Sequence, residues 1–225
     1  MSRPIATRLF PVGVEVVETC EPGDERKLFA DEASDVASAV RKRKLEFAAG
    51  RTCARGALAA LGIAAQPLRV AADRRPNWPR GALGSITHTD GYCAAACASR
   101  ASFAGVGIDA ERVGRLEPDL WPDICTPHEL AWLSSLPPHV RATMATLIFS
   151  AKEAYYKCQY EYTRAWLDFH DVQVTIDGKR FTVGVRGTDG FAHEDATAPA
   201  GRFVVEDTLV VTGIAMAASG ASAAR

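Results

Sequence analysis

Apolar and polar positions alternate through "TRLFPVGVEVV" (residues 7–17), which predicts a strand with Pro11 placing it at an edge or breaking it. From Ala39 to Leu61, "AVRKRKLEFAAGRTCARGALAAL", apolar residues recur at helical spacing and stop before Gly62, a suitable helix C-terminus. The polar face of that helix is basic. Beyond the loop "RRPNWPRGA", the runs "LGSITHTDGYCAAACAS" and "FAGVGIDAERV" read as three short strands of a small sheet, the first two joined at the Asp90-Gly91 turn. Thr126-Pro127-His128-Glu129 combines an N-cap, proline at the first helical position and Glu three residues after the cap, so a helix is predicted from there through Leu133. A long amphipathic helix follows, from about His139 to Glu161. "DVQVTIDGKRFTVGV" is a second hairpin on Asp177-Gly178, and "RFVVEDTLVVTGIAM" supplies two more strands. The order strand, helix, sheet thus occurs roughly twice, with a seam near residues 100–106 and no accompanying sequence repeat. The tail "AASGASAAR" has too little apolar bulk to pack and is expected to fray, with residues 219–225 flexible.

Length and charge narrow the classes. The 225 residues can bury a core for one large domain or two small lobes. Lys plus Arg number 26 against 27 Asp plus Glu, and the net charge of -1 argues against a nucleic-acid coat or a membrane-surface protein. Any charged partner must therefore meet a local patch. Cys20, Cys53, Cys93, Cys97, Cys125 and Cys158 form no CxxC pair and have no His at zinc spacing, and no cationic start leads into an apolar signal segment. A reduced, cytoplasmic setting is expected, with the cysteines as small core residues. No run reaches the roughly 18 apolar residues of a membrane helix.

In "GVGIDAERV", Asp109 and Glu111 are two apart and share one face of a strand. Adjacent carboxylates repel unless a cation lies between them, and magnesium takes one or two carboxylates together with waters and phosphate oxygens. A strand end fraying into solvent carries such residues as well. In "IFSAKEAYYKCQ", Glu153 and Lys157 stand four apart, in the favourable order for a helix pair worth about 0.2–0.5 kcal/mol. The same face equally offers a carboxylate for a metal or for general-base work and an ammonium for phosphate charge. Lys152 lies about 100° around that helix and reaches either another phosphate or water. Arg43, Arg51 and Arg55 lie close to one stripe of the N-terminal helix, which is either a solvated basic face or a grip on a multiply phosphorylated ligand. His88 follows "GSIT", where Ser85 and Thr87 can also meet phosphate; a structural role suits a lone His equally.

Together these pieces resemble the 4′-phosphopantetheinyl transferases of the surfactin type, especially the enterobactin synthase component D group. "VGIDAE" and "FSAKEAYYK" fit the family's paired signatures, and "EFAAGRTCARGAL" and "WPRGALGSITHTDGY" look like the group's N-terminal motifs. The resemblance implies an α/β (α+β) fold of two similar lobes in pseudo-twofold arrangement, each a small, mostly antiparallel sheet on a long helix, with the active site between them. Residues 1–105 would form one lobe and 106–218 the other. It implies transfer of the phosphopantetheine arm of coenzyme A to a serine of an apo acyl or peptidyl carrier protein, releasing adenosine 3′,5′-bisphosphate. Asp109, Glu111 and Glu153 would hold magnesium, or manganese. Glu153 would take the serine proton, with Lys157 and Lys152 neutralising phosphate charge. Arg43 and Arg51 would contact the adenosine 3′-phosphate end, and Ser85, Thr87 and His88 the phosphates from the other lobe. Trp166 would flank the pantetheine arm, or serve as core. A basic residue often precedes the group's Trp-Pro motif; here Arg74, Arg75 and Arg80 compete for that role. Ala110 stands between the two strand carboxylates, so that strand supplies no third ligand. A monomer is expected. The alternatives are a magnesium-dependent nucleotide or coenzyme A pyrophosphohydrolase and a non-catalytic carrier-binding module.

Overall fold

The computed structural model describes residues 4–187, 190–191 and 198–218, so the tail expected to fray lies outside the described residues from 219 onward. Residues 7–17 are not one strand. A 3-10 turn covers Ala6–Leu9, and Pro11 followed by Gly13 at φ 93° delays the strand β1 to Val14–Thr19. A short helix α1 (Ala30–Asp35) precedes the long basic helix α2 (Arg41–Ala60). Strands β2 (Ala82–Thr89) and β3 (Tyr92–Ser99) form the hairpin, with Gly91 at φ 71° in its turn. β1 pairs with β3, giving an antiparallel sheet in the order β1-β3-β2. The Ala- and Cys-rich β3 is buried on both faces: Cys93, Ala95 and Cys97 pack with Cys53, Ala54 and Ala57 of α2, while Ala94, Ala96 and Ala98 join the core shared with the second sheet. Such a strand reads as a continuous apolar run rather than an alternation.

The second half begins with β4 (Phe103–Arg112), which does not join that small sheet as expected. It is followed by α3 (Trp121–Ile124), α4 (Pro127–Ser135), α5 (Pro138–Thr163), β5 (Val172–Asp177), β6 (Arg180–Gly187), β7 (Gly190–Phe191), β8 (Ala200–Glu206) and β9 (Leu209–Ala217). Five of these strands run antiparallel in the order β4-β9-β8-β6-β5, and β7 pairs with β6. β4 is hydrogen-bonded to β9, with Asp109 opposite Thr212. Its other edge faces β2, where side chains replace a strand partner: Ser85 Oγ accepts from the Ile108 amide at 3.2 Å and Thr87 Oγ1 from the Ala110 amide at 3.0 Å. Those buried amides are thereby satisfied and the two sheets are joined.

Each sheet is backed by a long helix, α2 on the first and α5 on the second. Ala151, Ala154 and Cys158 of α5 pack with Phe181 and Ile214, and its first half meets Ile124 and Leu133 of α3 and α4. α5 also lies directly on β4, because Gly105 and Gly107 have no side chains to hold it off. A Cβ at Gly107 would stand 1.8 Å from the Ala154 carbonyl oxygen. Gly107→Ala is expected to destabilise the protein by about 1–3 kcal/mol or more in denaturant titration, by prising helix from strand. A midpoint equal to that of the parent would mean that the contact yields freely. All six cysteines are free thiols and five are buried. Among the described residues no helix is long and apolar enough to cross a membrane.

Candidate active site

The period of two along β4 and the four-residue turn of α5 bring four charged groups into one cluster. Lys157 Nζ donates to Asp109 Oδ1 at 2.7 Å and to the Ile108 carbonyl at 3.2 Å. Asp109 is 3 % exposed, and its Oδ2 is buried with no hydrogen-bond partner. Burial, then Asp109 and Glu153 nearby, push the Glu111 carboxyl up to about 7, against the relief given by Lys157 and Arg115. Burial and Asp109 raise the Glu153 carboxyl likewise, opposed by Lys157. Burial disfavours the Lys157 ammonium, but Asp109, Glu153 and Glu111 outweigh it and hold its pKa above the usual lysine value. Three carboxylates thus share one ammonium, and an orphaned oxygen points to the missing positive charge.

The donor set fits a hard divalent cation taken by Asp109 and Glu111, its other positions left to water and ligand oxygens. Among the described residues no three acidic, His or Cys side chains already stand as a metal cage, so Asp109, Glu111 and Glu153 do not form a closed one. Because the folded value of Glu111 is raised, its protonation favours the folded state at low pH. That contribution is lost as pH climbs from the usual carboxylate value of about 4.3 through about 7. Glu111→Gln should therefore flatten the fall of Tm across this window. In the parent, magnesium added at about pH 8 should raise Tm by more than in the variant. Equal pH profiles for the two proteins would remove Glu111 from this account.

Beside the cluster lies a cavity of about 500 Å³ lined by Arg74, Trp78, Ser85, Lys157, Tyr160 and Trp166, among others. A smaller one of about 190 Å³ adjoins Glu153, Tyr156 and Trp166. Trp166 is 80 % exposed, so the core alternative is overturned: its ring stands edge-on to Tyr156, with centroids 5.6 Å apart, where the cavities meet. On the first lobe, Arg43 Nη1 lies 2.6 Å from His88 Nε2. A guanidinium only donates, so His88 accepts there and carries its proton on Nδ1, 3.7 Å from Glu46 Oε2. Burial, then Arg43 and Lys157, lower the His88 pKa against the pull of Glu46, which agrees with a neutral ring. Glu46 was missed in the sequence, although it stands one turn after Arg43.

Residues 31–98 match the family model of the 4′-phosphopantetheinyl transferase N-terminal domain, and residues 105–205 that of the 4′-phosphopantetheinyl transferase superfamily. The chain belongs to the 4′-phosphopantetheinyl transferase superfamily. It is 39% identical over 210 residues to the 4′-phosphopantetheinyl transferase Svp of Streptomyces mobaraensis, covering 87% of this chain and 81% of that protein. To the transferase Npt of Nocardia iowensis it is 33% identical, covering 93% of this chain and 98% of Npt. Enterobactin synthase component D of Salmonella typhi is 40% identical over 124 residues, 53% of this chain and 50% of that protein.

Several residues suited to phosphate binding are engaged otherwise in this phosphopantetheinyl transferase. Lys152 Nζ donates to Glu129 Oε2 and to the carbonyls of Ile124 and Phe169, each at 2.8 Å, and only 1 % of its side chain is exposed. Its ammonium is taken up by these three acceptors rather than by the Asp109 cluster, although the residue borders the smaller cavity. Arg51 is also turned inward: its Nε donates to the Leu68 carbonyl at 2.7 Å, its guanidinium lies 4.1 Å from the Phe47 ring centroid, and burial lowers its pKa to about 10. The hydroxyls of Ser85 and Thr87 accept from the β4 amides and direct their protons to the Ile108 carbonyl at 3.5 Å and to Asp109 Oδ1 at 3.4 Å, so they join the lobes. Arg75 is ion-paired to Asp73 and Glu161. Arg74, at φ 67°, has no ion pair among the described residues and lines the larger cavity.

Proposed function

We propose that this cleft transfers the phosphopantetheine arm of coenzyme A to a serine hydroxyl of an apo acyl or peptidyl carrier protein, releasing adenosine 3′,5′-bisphosphate. The observation that carries the reading is the cluster of Asp109, Glu111, Glu153 and Lys157, in a chain whose two halves each match a model of this family. Magnesium, or manganese in its place, would be held by Asp109 and Glu111 with Glu153 close by, and would supply charge to offset the pyrophosphate oxygens.

The chain's own groups divide the remaining work. Glu153 takes the serine proton; its raised pKa brings the carboxylate closer to neutrality and makes it a stronger base than a solvated Glu. The serine oxygen forms the new bond to the phosphorus as the bond from that phosphorus to the bridging oxygen of the bisphosphate breaks. Lys157, already charged and set beside Asp109, stabilises the negative charge that gathers on the departing oxygen. Arg43, paired with neutral His88, meets the adenosine 3′-phosphate end, where a bidentate guanidinium suits phosphate. Arg74, which makes no ion pair among the described residues, stands on the cavity wall for the phosphates, and Trp166 lies along the arm at the cavity mouth. The reading carries with it a cytoplasmic monomer.

The test is intact-mass spectrometry of an apo carrier protein incubated with coenzyme A, magnesium and this enzyme. A gain of one phosphopantetheine supports the transfer. Coenzyme A cleaved with no gain on any carrier would favour the pyrophosphohydrolase, and neither event would favour a binding module.

A further inference from the structure

Glu161 lies one turn beyond Lys157 on α5, with only 4 % of its side chain exposed, and it collects two cations from the other lobe and one from the end of its own helix. Arg75 Nη1 donates to its Oε2 at 2.6 Å, Arg100 Nη2 donates to its Oε1, and Arg164 Nη2 stands 3.9 Å away. Arg75 belongs to the loop between α2 and β2. It is also bonded to Asp73 at 2.8 Å and lies 5.3 Å from the Tyr160 ring centroid. Arg100 belongs to the turn between β3 and β4, where the chain passes from one sheet to the other. One buried carboxylate therefore fastens two separate segments of the first lobe to the helix that carries Glu153 and Lys157.

The fastened loop is a wall of the larger cavity, with Tyr156, Lys157 and Tyr160 of α5 among the residues that complete it. Its backbone is already narrow in its options: Ala71 N donates to Arg75 O at 2.8 Å and Arg74 N to Ala71 O at 2.9 Å, which leaves Arg74 in the left-handed region. A side chain other than glycine stays at such a φ only where its surroundings hold it there. Arg75, the next residue, is where the surroundings take hold.

We infer that Glu161 is a positioning residue: by fixing Arg75 and Arg100 it holds the 71–76 loop, and with it the unpaired Arg74, at the working distance from coenzyme A. This rests on the reading that the cavity receives the coenzyme. Glu161 borders the same cavity, but its carboxylate oxygens are taken up by Arg75 and Arg100, so its loss is felt in coenzyme binding rather than in the bond-making step.

Glu161→Gln, Arg75→Gln and the double variant would be compared with the parent, by steady-state transfer to a saturating apo carrier and by calorimetric titration with coenzyme A. KM and Kd for coenzyme A are expected to rise about 10-fold in each single variant, with kcat held within about 2-fold. The double variant should be no worse than the singles, since both break the same link. A lower Tm with unchanged KM and Kd would make the latch merely structural and overturn the proposal. A tighter Kd would overturn it too, because a released Arg75 would then be binding the coenzyme directly. If even the parent transfers nothing to carriers, the functional reading falls, while the Kd comparison still decides whether Glu161 positions the loop.

Discussion

Glu153→Gln is expected to cut the rate of carrier modification by about 10²–10⁴-fold, the range of a lost general base, while leaving the fold intact. The prediction separates chemistry from stability unusually well. Among the described residues the Glu153 carboxylate makes no hydrogen bond or close ion pair, so the amide gives up only the longer-range attraction to Lys157. Burial and Asp109 raise its pKa, which means that the charge is already held at some cost to the folded state. The variant should therefore melt at the temperature of the parent or above it. Intact-mass time courses and scanning calorimetry on the same samples provide the check. Turnover within a few-fold of the parent at equal Tm would show that the serine proton leaves by another route.

Lys152→Met should do the reverse. Its neighbour in sequence works in the cleft, but Lys152 is locked to Glu129 and two carbonyls in the interior. Removing the ammonium leaves Glu129 buried with only its amide partners at Thr126 and Val174. The loss of one member of a buried pair typically costs about 3–5 kcal/mol, and that is the expected fall in unfolding free energy. Activity per folded molecule should stay near that of the parent. Adding Glu129→Leu should recover part of the stability, since the uncompensated charge goes with it. Normal stability combined with lost turnover would put the Lys152 ammonium back in the reaction.

That contrast shows what the residues could and could not announce. The spacing of Glu153 and Lys157, the alternation of Asp109 and Glu111, the turns at Asp90-Gly91 and Asp177-Gly178 and the capping box from Thr126 to Glu129 are local patterns, and the structure keeps them. What failed was nonlocal. Nothing near β4 says that its partner is β9 rather than the preceding hairpin, because a pairing between distant segments leaves no mark in either one alone. Nor does residue type disclose a partner: Arg51, Lys152, Ser85 and Thr87 have the right chemistry for phosphate, yet their donors and acceptors are taken up by a carbonyl, a carboxylate and the β4 amides. Glu161 looks like one more surface acid on a helix, and only the fold brings arginines from two distant segments to it.

The pairing of β4 with β9 also sets a schedule for biosynthesis. The hairpin, β1 and α2 can assemble while the ribosome is still translating the second half. The strand bearing Asp109 and Glu111 cannot: its backbone partner, Leu209–Ala217, emerges after every other described strand. Until then Ser85 and Thr87 can cover only one side of β4, and its other edge is exposed in the nascent chain. Competence to modify a carrier therefore arrives late in synthesis, and a chain released before residue 209 would leave the ribosome with the strand that carries Asp109 and Glu111 unpaired.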